Sequence, residues 1–237
     1  MTIYMFNNVN LLRQYMIDTI IFDFDGVILN SEPMHFEAIV QVLNQSGISL
    51  DYEEYMSHYL GLSDISIFPK ILNDKGLAFS STEIHRLIER KITVYNELIE
   101  NSEQLPMTQD LDWFLVRAEK KYGKIGICSG SNRYSIIKIL EKIHYGRLAR
   151  FFTTIVSSED VSLGKPSPEG YLLAAHRLQS KPENCLAIED SEHGVAAAKA
   201  GGMLVAGLLT TLSRDQLANA DMIVHDFKEL AYLLNSH

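Results

Sequence analysis

The sequence predicts an α/β protein, a mainly parallel sheet core with an all-helical insert after the first strand. Three observations carry that prediction. Residues 17–22 (Ile-Asp-Thr-Ile-Ile-Phe) are too apolar and β-branched for a solvated edge, and read as a buried strand. From Ser31 to about Asn101 only helical spacing of apolar residues is found. Beyond Pro106, short apolar runs alternate with helical segments, the pattern of a parallel sheet covered on both faces.

Taken in order, residues 1–16 form an N-terminal extension, expected to be poorly ordered or a short helix without a catalytic role. Its first fifteen residues lack the cationic start and clean apolar run of a signal peptide, and Met16 is an alternative start. After the strand, segments 32–46, 51–60, 63–75 and 81–101 carry helical spacing, punctuated near their ends by Gly47, Gly61 and Gly76. An insert of roughly 70 residues far exceeds the dozen or so that a crossover needs. It is read as a cap domain over residues 32–103, leaving 17–31 and 104–237 as the catalytic core. Core helices are expected at 108–121, 132–143, 168–179, 191–200, 214–218 and 226–234. Strands are expected at 124–128, 154–156, 185–188, 203–208 and 222–224. Ser167 serves as N-cap with Pro168 at the first helical position. Trp113, with Phe114 and Val116, reads as core packing of the helix after the cap.

Composition narrows the function classes. The chain has 237 residues, 46% hydrophobic and 22% charged, as in an ordinary globular protein. Its formal charge of −9 disfavours nucleic acid or an anionic membrane as partner. No later segment is long and apolar enough to span a membrane. Cys128 and Cys185 fall inside expected buried strands and read as small core residues in a reducing, cytoplasmic setting.

The chemistry-bearing residues sit at or just beyond the carboxyl ends of expected strands, where open α/β sheets bind ligands. They are Asp23 and Asp25, Ser129 with Gly130, Lys165, and Glu189 with Asp190. Each has an ordinary explanation: turn acids beside Gly26, a turn serine, a solvated loop lysine, and acids at a helix start. Jointly they are complementary, because acids at the end of a buried strand are costly unless something positive sits there. A carboxylate nucleophile, a second acid and a hard cation are what phosphoryl transfer requires.

These motifs resemble the haloacid dehalogenase-like phosphohydrolases with a Rossmann-like core and a helical cap. Asp23-Phe24-Asp25-Gly26-Val27 matches the first motif, Ser129 the second, Lys165 in Gly-Lys-Pro-Ser-Pro the third, and Glu189-Asp190-Ser191 with Gly194 the fourth. The likeness spans residues 17 to about 234. It implies that Asp23 attacks phosphorus and that Asp25 protonates the leaving oxygen and then deprotonates water. It further implies Mg2+ held by Asp23, the Asp25 carbonyl, Asp190 and Glu189, the last as ligand or as an acceptor behind the ligands. Ser129 and Gly130 would bind the phosphoryl oxygens, Lys165 would offset negative charge, and Gly26 would let the backbone approach the phosphate.

Within the capped members the chain is also similar to the β-phosphoglucomutases. His35 falls where those have a histidine, and Arg90-Lys91 and Tyr95 resemble their long cap helix. Their G-x-S-R loop has an arginine for a second phosphate, whereas Gly61-Leu62-Ser63 is followed here by Asp64, which would repel a bisphosphate. His35, Asp64 and Lys91 are thus candidate cap residues for substrate. A helix-face histidine and a solvated helix lysine are their plain alternatives. The reading favoured is a phosphatase acting on a small phosphorylated metabolite, a sugar phosphate or phosphoglycolate-like acid, as a monomer or weak homodimer. A phosphotransferase of the mutase kind and a non-catalytic binder are the alternatives.

Overall fold

A computed structural model describes residues 16–60, 62 and 64–235. The expected N-terminal extension lies almost wholly outside the described residues, as do Gly61 and Ser63 of the cap loop. The chain divides into two compact units, Met1–Asn30 with Gln104–His237, and Ser31–Glu103.

The first unit is built on a six-stranded, wholly parallel sheet in the order β3-β2-β1-β4-β5-β6. The strands are β1 (Thr19–Phe22), β2 (Lys124–Cys128), β3 (Thr154–Val156), β4 (Cys185–Glu189), β5 (Leu204–Leu208) and β6 (Met222–Val224). Every residue of β1, β4 and β5 is buried, which explains their unbroken apolar character. The α/β prediction therefore holds. Numbering the four helices of the second unit first, the helices here are α5 (Leu111–Lys121), α6 (Arg133–Lys142), α7 (Glu169–Arg177), α8 (Glu192–Ala200) and α9 (Phe227–Asn235).

Strand alternation assigns the two faces. Ile21, Cys128, Ala187 and Val205 pack with Tyr171 and Ala174 of α7 and Val195 and Ala198 of α8. Phe22, pointing the other way, meets Phe114 of α5 and Phe227 of α9, with ring centroids 6.1 Å away in each case. The chain runs outward through β1, β2 and β3, then returns to lay β4 against the opposite side of β1. The order of strands thus reverses between β1 and β4, and the crevice at their carboxyl ends is the natural ligand position of such a sheet.

Several expectations are corrected. Residues 214–218 form turns rather than a helix, with Ser213 donating from both N–H and hydroxyl to Gln216. The helix expected from 108 begins at Leu111, because Asp110 turns the chain with a left-handed φ of 62°. Helix α7 begins at Glu169, so Pro168 holds the capping position; Ser167 Oγ still accepts from Glu169 N–H at 3.3 Å. Core packing holds for Phe114, 2% exposed, but not for Val116, 51% exposed, nor for the half-buried Trp113. The buried stripe of α5 is Leu111, Phe114, Leu115 and Ala118, and at 100° per residue positions 113 and 116 fall off it.

The second unit contains α1 (Glu32–Gln45), α2 (Tyr52–His58), α3 (Asp64–Asp74) and α4 (Ser81–Asn101). Ser80 and Glu83 form a reciprocal capping box that fixes the start of α4, and Asp51 caps α2 by accepting from Glu54 N–H. Ile39, Val42, Leu43, Phe68, Ile71 and Val94 make its core. Among the described residues no helix is long and apolar enough to cross a membrane.

Candidate active site

The carboxyl ends of β1 and β4 bring Asp23, Glu189 and Asp190 together. Asp23 is tied to β4 by its N–H, which donates to Ile188 O at 2.9 Å. One carboxylate oxygen from each of the three acids lies within 4.8 Å of the others, and all three residues are buried. Lys165, arriving from the loop before α7, donates to Asp23 Oδ1 and, at 2.6 Å, to Glu189 Oε1.

Three buried carboxylates around one ammonium leave the cluster short of positive charge. Burial, followed by repulsion from Glu189 and Asp25, pushes the Asp23 carboxyl up to about 7 against the pull of Lys165. Burial and the charges of Asp23 and Glu189 raise Asp190 as well. For Lys165 burial acts downward, but Asp23 and Glu189 outweigh it and hold the ammonium raised. A hard cation set among oxygen donors relieves this imbalance, so the donor set fits a divalent metal.

Glu189 is engaged on both oxygens. Lys165 and the Tyr171 hydroxyl (2.7 Å) donate to Oε1; Asp190 N–H, Ser191 N–H and the Ser191 hydroxyl donate to Oε2. Its position requires Gly194, since a Cβ there would overlap the Glu189 carboxylate. Gly26, with φ +76°, plays the same part for Asp190: a Cβ would collide with the Asp190 carboxylate and with Thr211 Oγ1. The glycine of the first motif thus makes room for the acid of the fourth.

The remaining candidates join the cluster at its edge. Asp25 accepts from Ser131 Oγ at 2.8 Å, and Ser131 N–H donates to Ser129 Oγ at 2.9 Å. Ser129, Gly130 and Lys165 line a concavity of about 160 Å³. A Cβ on Gly130 would meet nothing within 4 Å, so its backbone borders open space. Three contributors escaped the sequence reading. Thr211 donates to Asp190 Oδ2, Ser131 to Asp25, and Tyr171 to Glu189. Thr211 follows the end of β5, the same signal that marked the others, whereas Tyr171 inside α7 carries none.

The helical unit gathers its own candidates. Lys91 Nζ donates to Asp64 Oδ1 and Oδ2 at 2.7 and 3.0 Å and to His35 Nδ1 at 2.8 Å. His35 stacks on Tyr95 with centroids 4.3 Å apart. His35, Asp64 and Lys91 border a concavity of about 350 Å³ with Glu32 and Tyr55. Lys91 is 3% exposed, so the solvated-helix alternative for it fails; its stem is packed and its charge is met by Asp64. Burial, then the neighbouring Lys91, presses His35 down to about 3, which keeps the ring neutral.

A family model described as haloacid dehalogenase-like hydrolase matches residues 20–208. The fructose-1-phosphate phosphatase YqaB of Escherichia coli is 30% identical over 191 residues, covering 78% of this chain and 92% of the relative. A β-phosphoglucomutase of Bacillus subtilis is 29% identical over 214 residues, covering 89% and 90%. The crystal structure of β-phosphoglucomutase from Clostridium difficile superposes with a TM-score of 0.68 at 27% identity, covering 93% of this chain and 97% of that one.

Proposed function

From a chain that belongs to the haloacid dehalogenase-like hydrolase family, we propose a Mg2+-dependent phosphatase for a small phosphorylated metabolite, of the sugar phosphate or phosphoglycolate kind. The observation that carries this reading is the lone ammonium of Lys165 among the buried carboxylates of Asp23, Glu189 and Asp190. Mg2+ would be held by the carboxylates of Asp23 and Asp190 and the Asp25 carbonyl, and would neutralise charge on the phosphoryl group. Glu189, with both oxygens engaged, serves better to orient Lys165 and the start of α8 than as a direct ligand.

The chain's own residues carry the steps. An Asp23 carboxylate oxygen bonds to phosphorus as the ester bond breaks, and Asp25 gives its proton to the departing oxygen. Water then attacks the aspartyl phosphate, Asp25 takes back a proton, and phosphate leaves with Asp23 regenerated. Ser131 holds the Asp25 side chain for both transfers. Ser129 and the Gly130 backbone bind phosphoryl oxygens, and Lys165 offsets the charge of substrate and acids together.

The mutase alternative draws on the Bacillus relative and the Clostridium structure. Against it stands the ion pair of Lys91 with Asp64, which leaves that ammonium compensated rather than open to a second phosphate. Two measurements test the proposal. Purified protein should release phosphate from an aryl phosphate with Mg2+ and stop when EDTA removes it; failure with Mg2+ present overturns the reading. Phosphorus NMR of β-glucose 1-phosphate with a bisphosphate primer should show inorganic phosphate growing in without glucose 6-phosphate. A screen of phosphorylated metabolites then identifies the substrate.

A further inference from the structure

We propose that the α/β unit carries a second, non-catalytic site, a groove between α5 and residues 144–151 that binds a nucleoside di- or triphosphate. The groove, of about 550 Å³, shares no lining residue with the concavity holding Ser129 and Lys165. That size suits a compact ligand, whereas a protein partner needs a face of about 800 Å².

Charge is the first argument. The chain carries −9, yet Arg117, Arg147 and Arg150 converge on this groove against the single acid Asp112. All three arginines are exposed, and none forms an ion pair among the described residues. Of the other described arginines of this unit, Arg133 and Arg177 are both consumed by Asp160, while Arg214 stands alone. Guanidiniums without an acid partner, of which Arg117 donates to Trp113 O at 3.2 Å, make a local anion site on an acidic protein, and their fork geometry matches phosphate oxygens.

Planar surfaces are the second. The Arg117 guanidinium lies 3.7 Å from the centroid of Trp113, and that of Arg150 lies 4.3 Å from Phe151. A groove offering indole, phenyl and guanidinium planes beside the exposed fork of Arg147 suits an aromatic base joined to phosphates. Sugar phosphates lack the planar part.

Backbone conformation is the third. His144, Tyr145 and Gly146 are consecutive left-handed residues, with φ of 48°, 56° and 73°, and the first two carry side chains that disfavour it. This strained turn ends α6 and directs the chain so that Arg147 and Arg150 face the same groove as His144.

Trp113 is the only tryptophan of the chain, so its emission reports this groove directly. The protein in EDTA, where hydrolysis is off, is titrated with ADP, ATP, adenosine and inorganic phosphate, with calorimetry alongside in case the fluorophore is silent. ADP and ATP should bind saturably, with adenosine and phosphate at least tenfold weaker. Arg147→Ala with Arg150→Ala should weaken ADP at least tenfold while melting temperature and aryl phosphate hydrolysis stay unchanged. Asp23→Asn should bind ADP as the wild type does. No saturable binding by either method, phosphate as tight as ADP, unaltered binding in the double variant, or binding lost in Asp23→Asn each overturns the proposal.

Discussion

Each unit sets a lysine against acids, and the two clusters are balanced differently. Lys165 faces Asp23 and Glu189 with Asp190 alongside, three carboxylates to one ammonium. Lys91 pairs with one carboxylate, Asp64, donates to one neutral ring, His35, and acts at longer range on a second carboxylate, Glu32. The first cluster holds Asp23 and Asp190 raised, mainly through burial and mutual repulsion. The second closes on itself. Under the proposed function, a cluster that stays short of positive charge suits a cation and a phosphoryl group that arrive. A cluster compensated internally holds its own geometry, and under the proposed function offers no open cation to a second phosphate.

The largest test of that contrast is Asp23→Asn. The amide cannot accept a phosphoryl group, so aryl phosphate hydrolysis should fall beyond the roughly 10⁴-fold at the upper end of lost proton transfer. The same change removes one of three crowded carboxylates, so the melting temperature should hold or rise. A large loss of stability would mean that Lys165 and its acids are already balanced, and the contrast would collapse.

Next comes the helical cluster, where the two partners should cost unequal amounts. Asp64→Asn leaves the buried Lys91 ammonium without its ion-pair partner, with only the more distant Glu32 carboxylate near it. Breaking a fully buried pair costs about 3–5 kcal/mol, and with the Asp64 side chain 28% exposed we expect about 2–3 kcal/mol by urea denaturation. Lys91→Met leaves a carboxylate that water can reach and fills the stem's space. It should cost only about 1 kcal/mol, mostly from His35 Nδ1 losing its donor. The reverse order would show that Asp64, not Lys91, is the buried charge. Asp64→Arg, which would supply the missing phosphate grip, sets a second cation against Lys91 and should destabilise more than either.

The same cluster should register pH. His35 sits at about 3 in the fold against an ordinary 6.5, so the folded ring stays neutral while the unfolded one takes a proton below 6.5. Its contribution is complete above pH 6.5 and is lost as pH falls toward 3. At pH 5 the loss should be about 2 kcal/mol, at 1.36 kcal/mol per unit. In His35→Gln, which keeps an acceptor but does not titrate, the difference between pH 7 and pH 5 should shrink by that amount. An unchanged slope would place the ring in water rather than under Tyr95.

Much of this is legible in the amino-acid sequence. The strands β2, β3 and β6 fall at their expected bounds because buried parallel strands must be short apolar runs between breakers. Asp23, Glu189 and Asp190 stand out because each ends such a run at its carboxyl side, and Lys165 because of its Gly-Lys-Pro loop after β3. What sequence could not reveal was compensation between distant residues. Lys91 looked solvated because its partner Asp64 lies 27 positions away. Residues 214–218 looked helical because propensity does not register the Ser213–Gln216 turn. Gly26 was read as making room for phosphate, while the group now occupying that space is the Asp190 carboxylate, held by Thr211.

Thr211 therefore offers the finest test of the under-compensated cluster. Its hydroxyl donates to Asp190 Oδ2, fixing which oxygen of that acid remains for a cation. A merely structural threonine could be replaced by valine of equal shape with no effect on metal affinity. If the hydroxyl orients Asp190, Thr211→Val should cost about one hydrogen bond, ~1 kcal/mol, which is roughly a fivefold weaker half-saturation by Mg2+. Turnover at saturating Mg2+ should stay within about twofold, because Thr211 touches neither Asp23 nor Asp25. The Mg2+ concentration needed to raise the melting temperature should shift in parallel, a readout that needs no substrate. Thr211→Ser should restore both, since it returns the donor without the methyl group. A valine variant with wild-type Mg2+ dependence would mean that the Gly26 backbone and the β4 terminus alone orient Asp190.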